Sequence, residues 1–133
     1  MNRPTTLREA IEAADSILIG AGAGLSAADG DHHSGPVFDE RFADFRAQRG
    51  ITDAYSGGFY PFPTSEERWA FWSRMISLLR YEASPGQEYA DLLGLVGERD
   101  YFVITTNVDH RFQMSGFDKE RLFYTQGDFG LLQ

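Results

Sequence analysis

The passage that most restricts this chain is Ser16-Ile17-Leu18-Ile19 running into Gly20-Ala21-Gly22-Ala23-Gly24-Leu25-Ser26-Ala27. An apolar run with no polar alternation reads as a strand covered on both faces, as in a parallel sheet, and so as a central strand. Gly20 stops it, and the residues that follow read as the start of a helix. A buried strand that turns through glycines into a helix belongs to the α/β class, in which strands pair in parallel and helices cover them.

The rest of the chain supplies the partners. Thr6-Leu7-Arg8-Glu9 fits a capping box, and Leu7, Ala10, Ile11 and Ala14 fall on one helical face, predicting a first helix up to about Ala14. The stretch 29–36 is a polar loop, and Phe38, Phe42 and Phe45 carry an aromatic face inward. Gly, Pro and aromatic residues crowd 50–63, which is expected to be irregular and mobile. Thr64-Ser65-Glu66-Glu67 is a second capping box and opens the longest helix, about 66–81, with Trp69, Trp72, Ile76 and Leu79 on one face. A further helix has Pro85 at its first position, Leu92, Leu93 and Val96 as its stripe and Gly97 as its stop. Tyr101-Phe102-Val103-Ile104-Thr105 is a second buried strand, and Leu122-Phe123-Tyr124-Thr125 a third, weaker one. Strands separated by helices pair in parallel with right-handed crossovers, which gives a Rossmann-like sheet, incomplete at about three strands. Without repeats, low-complexity tracts or a linker, residues 1–133 read as a single domain.

Composition narrows the function. Apolar residues at 42% and charged residues at 24% describe a folded chain. A net charge of -8 leaves no basic footprint for nucleic acid. The absence of cysteine excludes disulfides, thiolate metal sites and a cysteine nucleophile within these residues. His32-His33 lacks the usual zinc spacings and reads as solvated, so no metal site is expected. Trp69 and Trp72 read as core packing, and Glu66-Glu67 as the acidic start of their helix. Neither an apolar leader core nor a run of 18 apolar residues is found, so a cytoplasmic location and no membrane partner are expected.

Gly22-Ala23-Gly24-Leu25-Ser26-Ala27 matches the G-x-G-x-x-[GA] turn in the context that gives it meaning, directly after a buried strand. Glycines there let the backbone approach a pyrophosphate, and an acidic protein can hold an anion this way; a plain tight turn is the alternative. Asp44 lies 20 residues after Gly24, but the ribose-binding acid of a dehydrogenase belongs at the end of the second strand, which begins only near Tyr101. At the carboxyl end of that strand stands Thr105-Thr106-Asn107-Val108-Asp109. Ligands of open α/β sheets bind outside such ends, so Asn107 and Asp109 are placed to orient a carboxamide and ribose hydroxyls, unless Asn107 caps the next helix. Gln126-Gly127-Asp128 ends the third strand on the same side, and His110 is a further lining candidate.

Together these residues resemble the sirtuins. Gly22-Ala23-Gly24-Leu25-Ser26 is similar to that family's Gly-Ala-Gly-Ile-Ser turn, Asp44-Phe45-Arg46 to its Asp-Phe-Arg, and Thr105-Thr106-Asn107-Val108-Asp109 to its Thr-Gln-Asn-(Ile/Val)-Asp, with Thr106 in place of glutamine. Gln126-Gly127 occupies the place of the His-Gly pair that carries the family's catalytic base. The long insertion between Ser26 and Asp44, and the ending Phe123 to Gln133, bring the resemblance closest to the macrodomain-linked class M sirtuins, over the N-terminal portion only.

That resemblance implies NAD as cofactor and NAD-dependent protein ADP-ribosylation, with a lipoyl-carrier protein as target. By the same resemblance Gly22, Ala23, Gly24 and Ser26 hold the phosphates, Phe45 covers the nicotinamide ribose and Arg46, beside Asp44, steadies the cofactor loop. Thr106, Asn107 and Asp109 line the ribose and carboxamide, with Asn107 and Gln126 as the catalytic pair. Glutamine cannot take a proton at physiological pH, which fits ADP-ribosyl transfer better than deacylation. Deacylation and a noncatalytic nucleotide-binding module are the alternatives. The family's zinc module and remaining strands have no counterpart in these residues, so the chain is expected to be part of a longer protein and to dimerise or exchange strands through an exposed sheet edge.

Overall fold

The computed structural model describes residues 6–28, 30 and 32–131. Asp29 and Asp31 of the polar loop, and Leu132 and Gln133 of the C-terminal motif, lie outside the described residues. The chain forms two compact units, one from residues 1–29 and 85–128 and the other from 30–84 and 129–133.

The first unit holds the sheet. Strands β1 (Ile17–Ala21), β2 (Tyr101–Thr105) and β3 (Leu122–Tyr124) pair in parallel in the order β1-β2-β3. The α/β class and the incomplete sheet are as expected, with β2 in the middle and β1 at an edge of the described sheet. The registers Ile19↔Val103 and Val103↔Leu122 line up one face. On that face Ile19, Val103 and Leu122 pack with Tyr89, Val96, Phe112 and Phe117. The opposite face carries Leu18, Phe102, Ile104 and Phe123, at 68, 40, 39 and 56% exposure. Unbroken apolar character thus marks strands with one covered face and one bare face among the described residues, not two covered faces.

Helix α1 (Leu7–Glu12) opens with the predicted capping box and ends before Ala14. Helix α2 (Ala23–Ala28) starts directly after Gly22. In the second unit, α3 (Pro36–Arg41) and α4 (Ala43–Arg49) bury Phe38, Phe42 and Phe45. Helix α5 (Ala54–Gly58) occupies part of the stretch expected to be irregular, because Asp53 and Ser56 form a reciprocal cap. Helix α6 (Ser65–Ile76) continues through a wider turn to Tyr81, so the longest predicted helix is present. Its cap is only half a box. Thr64 accepts from the Glu67 amide, but the Glu67 carboxylate turns to Arg49 at 2.8 and 2.9 Å. Its buried face is Phe71 and Met75, followed by Leu78 and Leu79, while Trp69 is 55% exposed and does not join the core.

Back in the first unit, α7 (Gln87–Val96) begins after Gly86, so Pro85 precedes the helix and does not open it, and Gly97 ends it with φ 56°. The short α8 (Arg111–Met114) follows β2. No helix of the described residues is long and apolar enough to cross a membrane.

Candidate functional site

At the carboxyl end of the sheet, the backbone of Thr106 donates to Ala21 O at 3.1 Å and Thr125 N donates to Thr105 O at 2.9 Å, so the pairing continues one step past the strands. These bonds bring the exits of β1, β2 and β3 to one side. Gly22 makes a close approach there: a Cβ would stand 3.2 Å from Thr106 Oγ1, a tight contact that the hydroxyl would have to yield to. Gly24, in the first turn of α2, meets nothing within 4 Å, so open space lies over its Cα. The two glycines do different work. Gly22 leaves room for the Thr106 side chain, and Gly24 leaves the first-turn amides of α2 uncovered, where no intrahelical acceptor exists.

Beneath that turn sits a buried polar network. Ser26 Oγ donates to Asp109 Oδ2 at 2.6 Å. A hydroxyl has one proton, so in the 3.1 Å contact between Ser26 Oγ and Tyr89 OH the tyrosine is the donor. Asn107 Nδ2 donates to Ser26 Oγ at 3.0 Å and to Tyr89 OH at 3.3 Å. Asp109 Oδ1 accepts from the Arg111 amide at 3.2 Å, and its Oδ2 lies 3.7 Å from Arg111 Nε. Arg111 Nη1 also donates to Ser26 O at 3.4 Å. All four of Ser26, Asn107, Asp109 and Arg111 are buried. Burial raises the Tyr89 phenol above its ordinary range, with the nearby Asp109 charge adding to it, so the hydroxyl stays protonated and keeps its donor.

Asn107 therefore does not cap α8, whose first flanking residue is His110. Its amide nitrogen is committed inward, while Oδ1 takes no partner among the described residues and is not enclosed. Gln126 is exposed in the turn after β3, next to Gly127 at φ 84°. His110 Nδ1 pairs with Asp128 Oδ2.

Three sequence candidates lie in the other unit. Asp44 pairs with Arg74 at 2.7 and 3.1 Å, Phe45 is buried among Phe42, Phe62 and Phe71, and Arg46 pairs with Asp39. Among the described residues no group of three His, Cys, Asp or Glu side chains gathers as a metal site. Tyr89 and Arg111 were not singled out from sequence. Tyr89 sits three residues before Leu92 on the apolar stripe of α7, where its hydroxyl gives no sign of a partner 63 positions away.

No protein-family model matches the chain. Curated relatives do. It is 40% identical over 127 residues, 96% of its length, to a Staphylococcus aureus protein named "Protein ADP-ribosyltransferase". It is 37% identical over 131 residues, 95% of its length, to a Fusarium oxysporum protein named "Probable bifunctional ADP-ribose hydrolase/ADP-ribosyltransferase". The chain spans 40% of the length of the first and 21% of the second. Both names include ADP-ribosyltransferase, and neither mentions deacylation.

Proposed function

We propose that this chain provides part of the NAD site of a sirtuin-type protein ADP-ribosyltransferase, closest to the macrodomain-linked class M group. Support comes from two relatives whose names include ADP-ribosyltransferase and from the convergence of Gly24, Asn107 and Gln126 at the carboxyl ends of three parallel strands. The observation that carries the reading is Asn107, locked by its amide nitrogen into a buried network with its carbonyl oxygen left outward.

The residues suit a dinucleotide. Open space over Gly24 leaves room for a phosphate against the first-turn amides of Ala23 and Gly24, a mode that needs no basic side chain. The Ser26 hydroxyl, turned into the unit, holds Asp109 and Asn107 in place instead of meeting the phosphate itself. When bound, NAD supplies an electrophilic ribose C1′ and a nicotinamide leaving group. Asn107 Oδ1 accepts a hydrogen bond from a ribose hydroxyl, and Gln126 adds a neutral donor and acceptor beside it. Gly22, Thr106 and Asp109 shape the floor. The protein target is by resemblance a lipoylated carrier, and these residues associate by strand exchange through the β1 edge.

Calorimetry with NAD on the complete protein that carries this segment tests the reading. Gly24→Val fits the fold, since its Cβ meets nothing within 4 Å, and should abolish NAD binding while melting close to the wild type. Unchanged affinity would remove this site.

A further inference from the structure

The glutamine at position 126 leaves the site without its expected base, yet a histidine stands at the neighbouring strand exit. His110 follows β2 with φ 67°, the left-handed region, and is the sole non-glycine residue with positive φ among the described residues. Its Nδ1 pairs with Oδ2 of Asp128, 18 residues later, in the turn after β3. The Asp128 side chain is 6% exposed and that of His110 27%. A carboxylate only accepts, so Nδ1 is the donor in this pair, and in the corresponding neutral tautomer the lone pair stands at Nε2. Nε2 takes no partner among the described residues and is not enclosed. A buried carboxylate that fixes the tautomer of a half-open imidazole is the arrangement of a general base.

We propose that His110 and Asp128 form a proton-accepting dyad and that the nucleophile taken at this site is a hydroxyl. The proposal rests on the reading of ADP-ribosyl transfer given above. A carboxylate acceptor arrives already ionised and has no use for a base, whereas a neutral hydroxyl is a weak nucleophile until its proton is drawn off. In the step, the hydroxyl oxygen bonds to ribose C1′ and its proton passes to His110 Nε2. The C1′–nitrogen bond breaks with its electron pair going to the nicotinamide ring, which leaves neutral. Asp128 is a positioning residue, acting through the ring. Water as the hydroxyl gives free ADP-ribose, and a serine or threonine side chain gives an O-linked adduct.

The test uses the complete protein with NAD. His110→Asn, which tolerates the left-handed backbone, and His110→Ala should each slow formation of the hydroxyl product by about 10² to 10⁴-fold while calorimetric NAD affinity holds. Added imidazole should restore His110→Ala, which it would not do for a merely structural clamp. Asp128→Asn keeps the hydrogen bond but donates into Nδ1, so the ring should move to the Nε2–H tautomer, read by its nitrogen chemical shifts, and transfer should fall with it. Mass spectrometry, with loss on hydroxylamine as the mark of a carboxyl-linked adduct, identifies the acceptor. Wild-type rates in both His110 variants, a wild-type ring already protonated at Nε2, or an adduct confined to carboxyl side chains would each overturn the proposal. A wild type that neither binds NAD nor releases nicotinamide brings down the functional reading and the hydroxyl acceptor with it, and the ring tautomer reports on the dyad separately.

Discussion

Ser26 Oγ and Asp109 Oδ2 stand 2.6 Å apart, a buried hydrogen bond between residues 83 positions apart in sequence. It ties the helix after the glycine turn to the segment that leaves the second strand, so the two sides of the proposed nucleotide site are fixed to each other from below. Hydrogen bonds to a charged group are among the stronger ones, and this one is protected from water.

Tyr89→Phe removes the donor to Ser26 and an acceptor for Asn107 without opening a cavity. We expect a loss of about 1 kcal/mol in urea unfolding. A larger effect should appear on the site, with NAD affinity falling as Asn107 loses one of its two inward anchors. A variant as stable and as tight-binding as the wild type would mean that the network does not position Asn107.

Asn107→Ala deletes the outward carbonyl along with both inward bonds. Nicotinamide release should drop about tenfold or more, the worth of one lost neutral hydrogen bond at the least. Gln126→Ala should weaken transfer through lost positioning without uncovering deacetylation of an acetyl-lysine peptide. Efficient deacetylation by the wild type would overturn the transferase reading.

Gly57→Ala would place a Cβ 2.0 Å from Cζ of Phe71, a ring with no exposed surface in the aromatic core of the second unit. Relief requires the ring or helix α5 to move, and overpacking of this kind costs typically about 1 to 3 kcal/mol. Thermal denaturation should show a clearly lowered midpoint. A melt unchanged from the wild type would mean that this core yields freely.

The Asp44 carboxyl is held below the ordinary carboxylate range, chiefly by its hydrogen bond to Arg74. Its folded pKa is depressed, so the stabilisation is present above the unfolded value and fades as pH falls through the folded one. The pair is solvent-screened, with half of the Asp44 side chain exposed, and its share is below about 1 kcal/mol. Asp44→Asn should therefore destabilise slightly at neutral pH and match the wild type in strong acid. A gap that persists in acid would assign the loss to something other than the charge.

Strand and helix positions were legible because they depend on local pattern: β2 matches the predicted strand residue for residue, and the glycine turn opens α2 as read. A run such as Ile17-Leu18-Ile19 does not by itself say whether its strand has one covered face or two, since that is settled by which helices pack where. Helix α5 was hidden under two glycines, although Asp53 and Ser56 at cap spacing were a usable sign. Trp69 shows the limit of periodicity: Phe71 and Met75 set the buried face, and the indole is left outside. At the site, Asn107 and Asp109 were found through their place after a strand. Tyr89, Arg111 and the pairing of His110 with Asp128 depend on contacts across the fold that no local pattern encodes.

The bare side of the sheet sets how the polypeptide fares in a cell. Leu18, Phe102, Ile104 and Phe123 form the kind of continuous oily surface on which chaperones and quality-control proteases act. Covering these four side chains should therefore slow turnover of the polypeptide as well as raise its solubility. A polar substitution such as Phe123→Lys, placed on that surface and away from the polar network, should lengthen survival of the isolated segment and shorten that of any assembly in which the surface is covered.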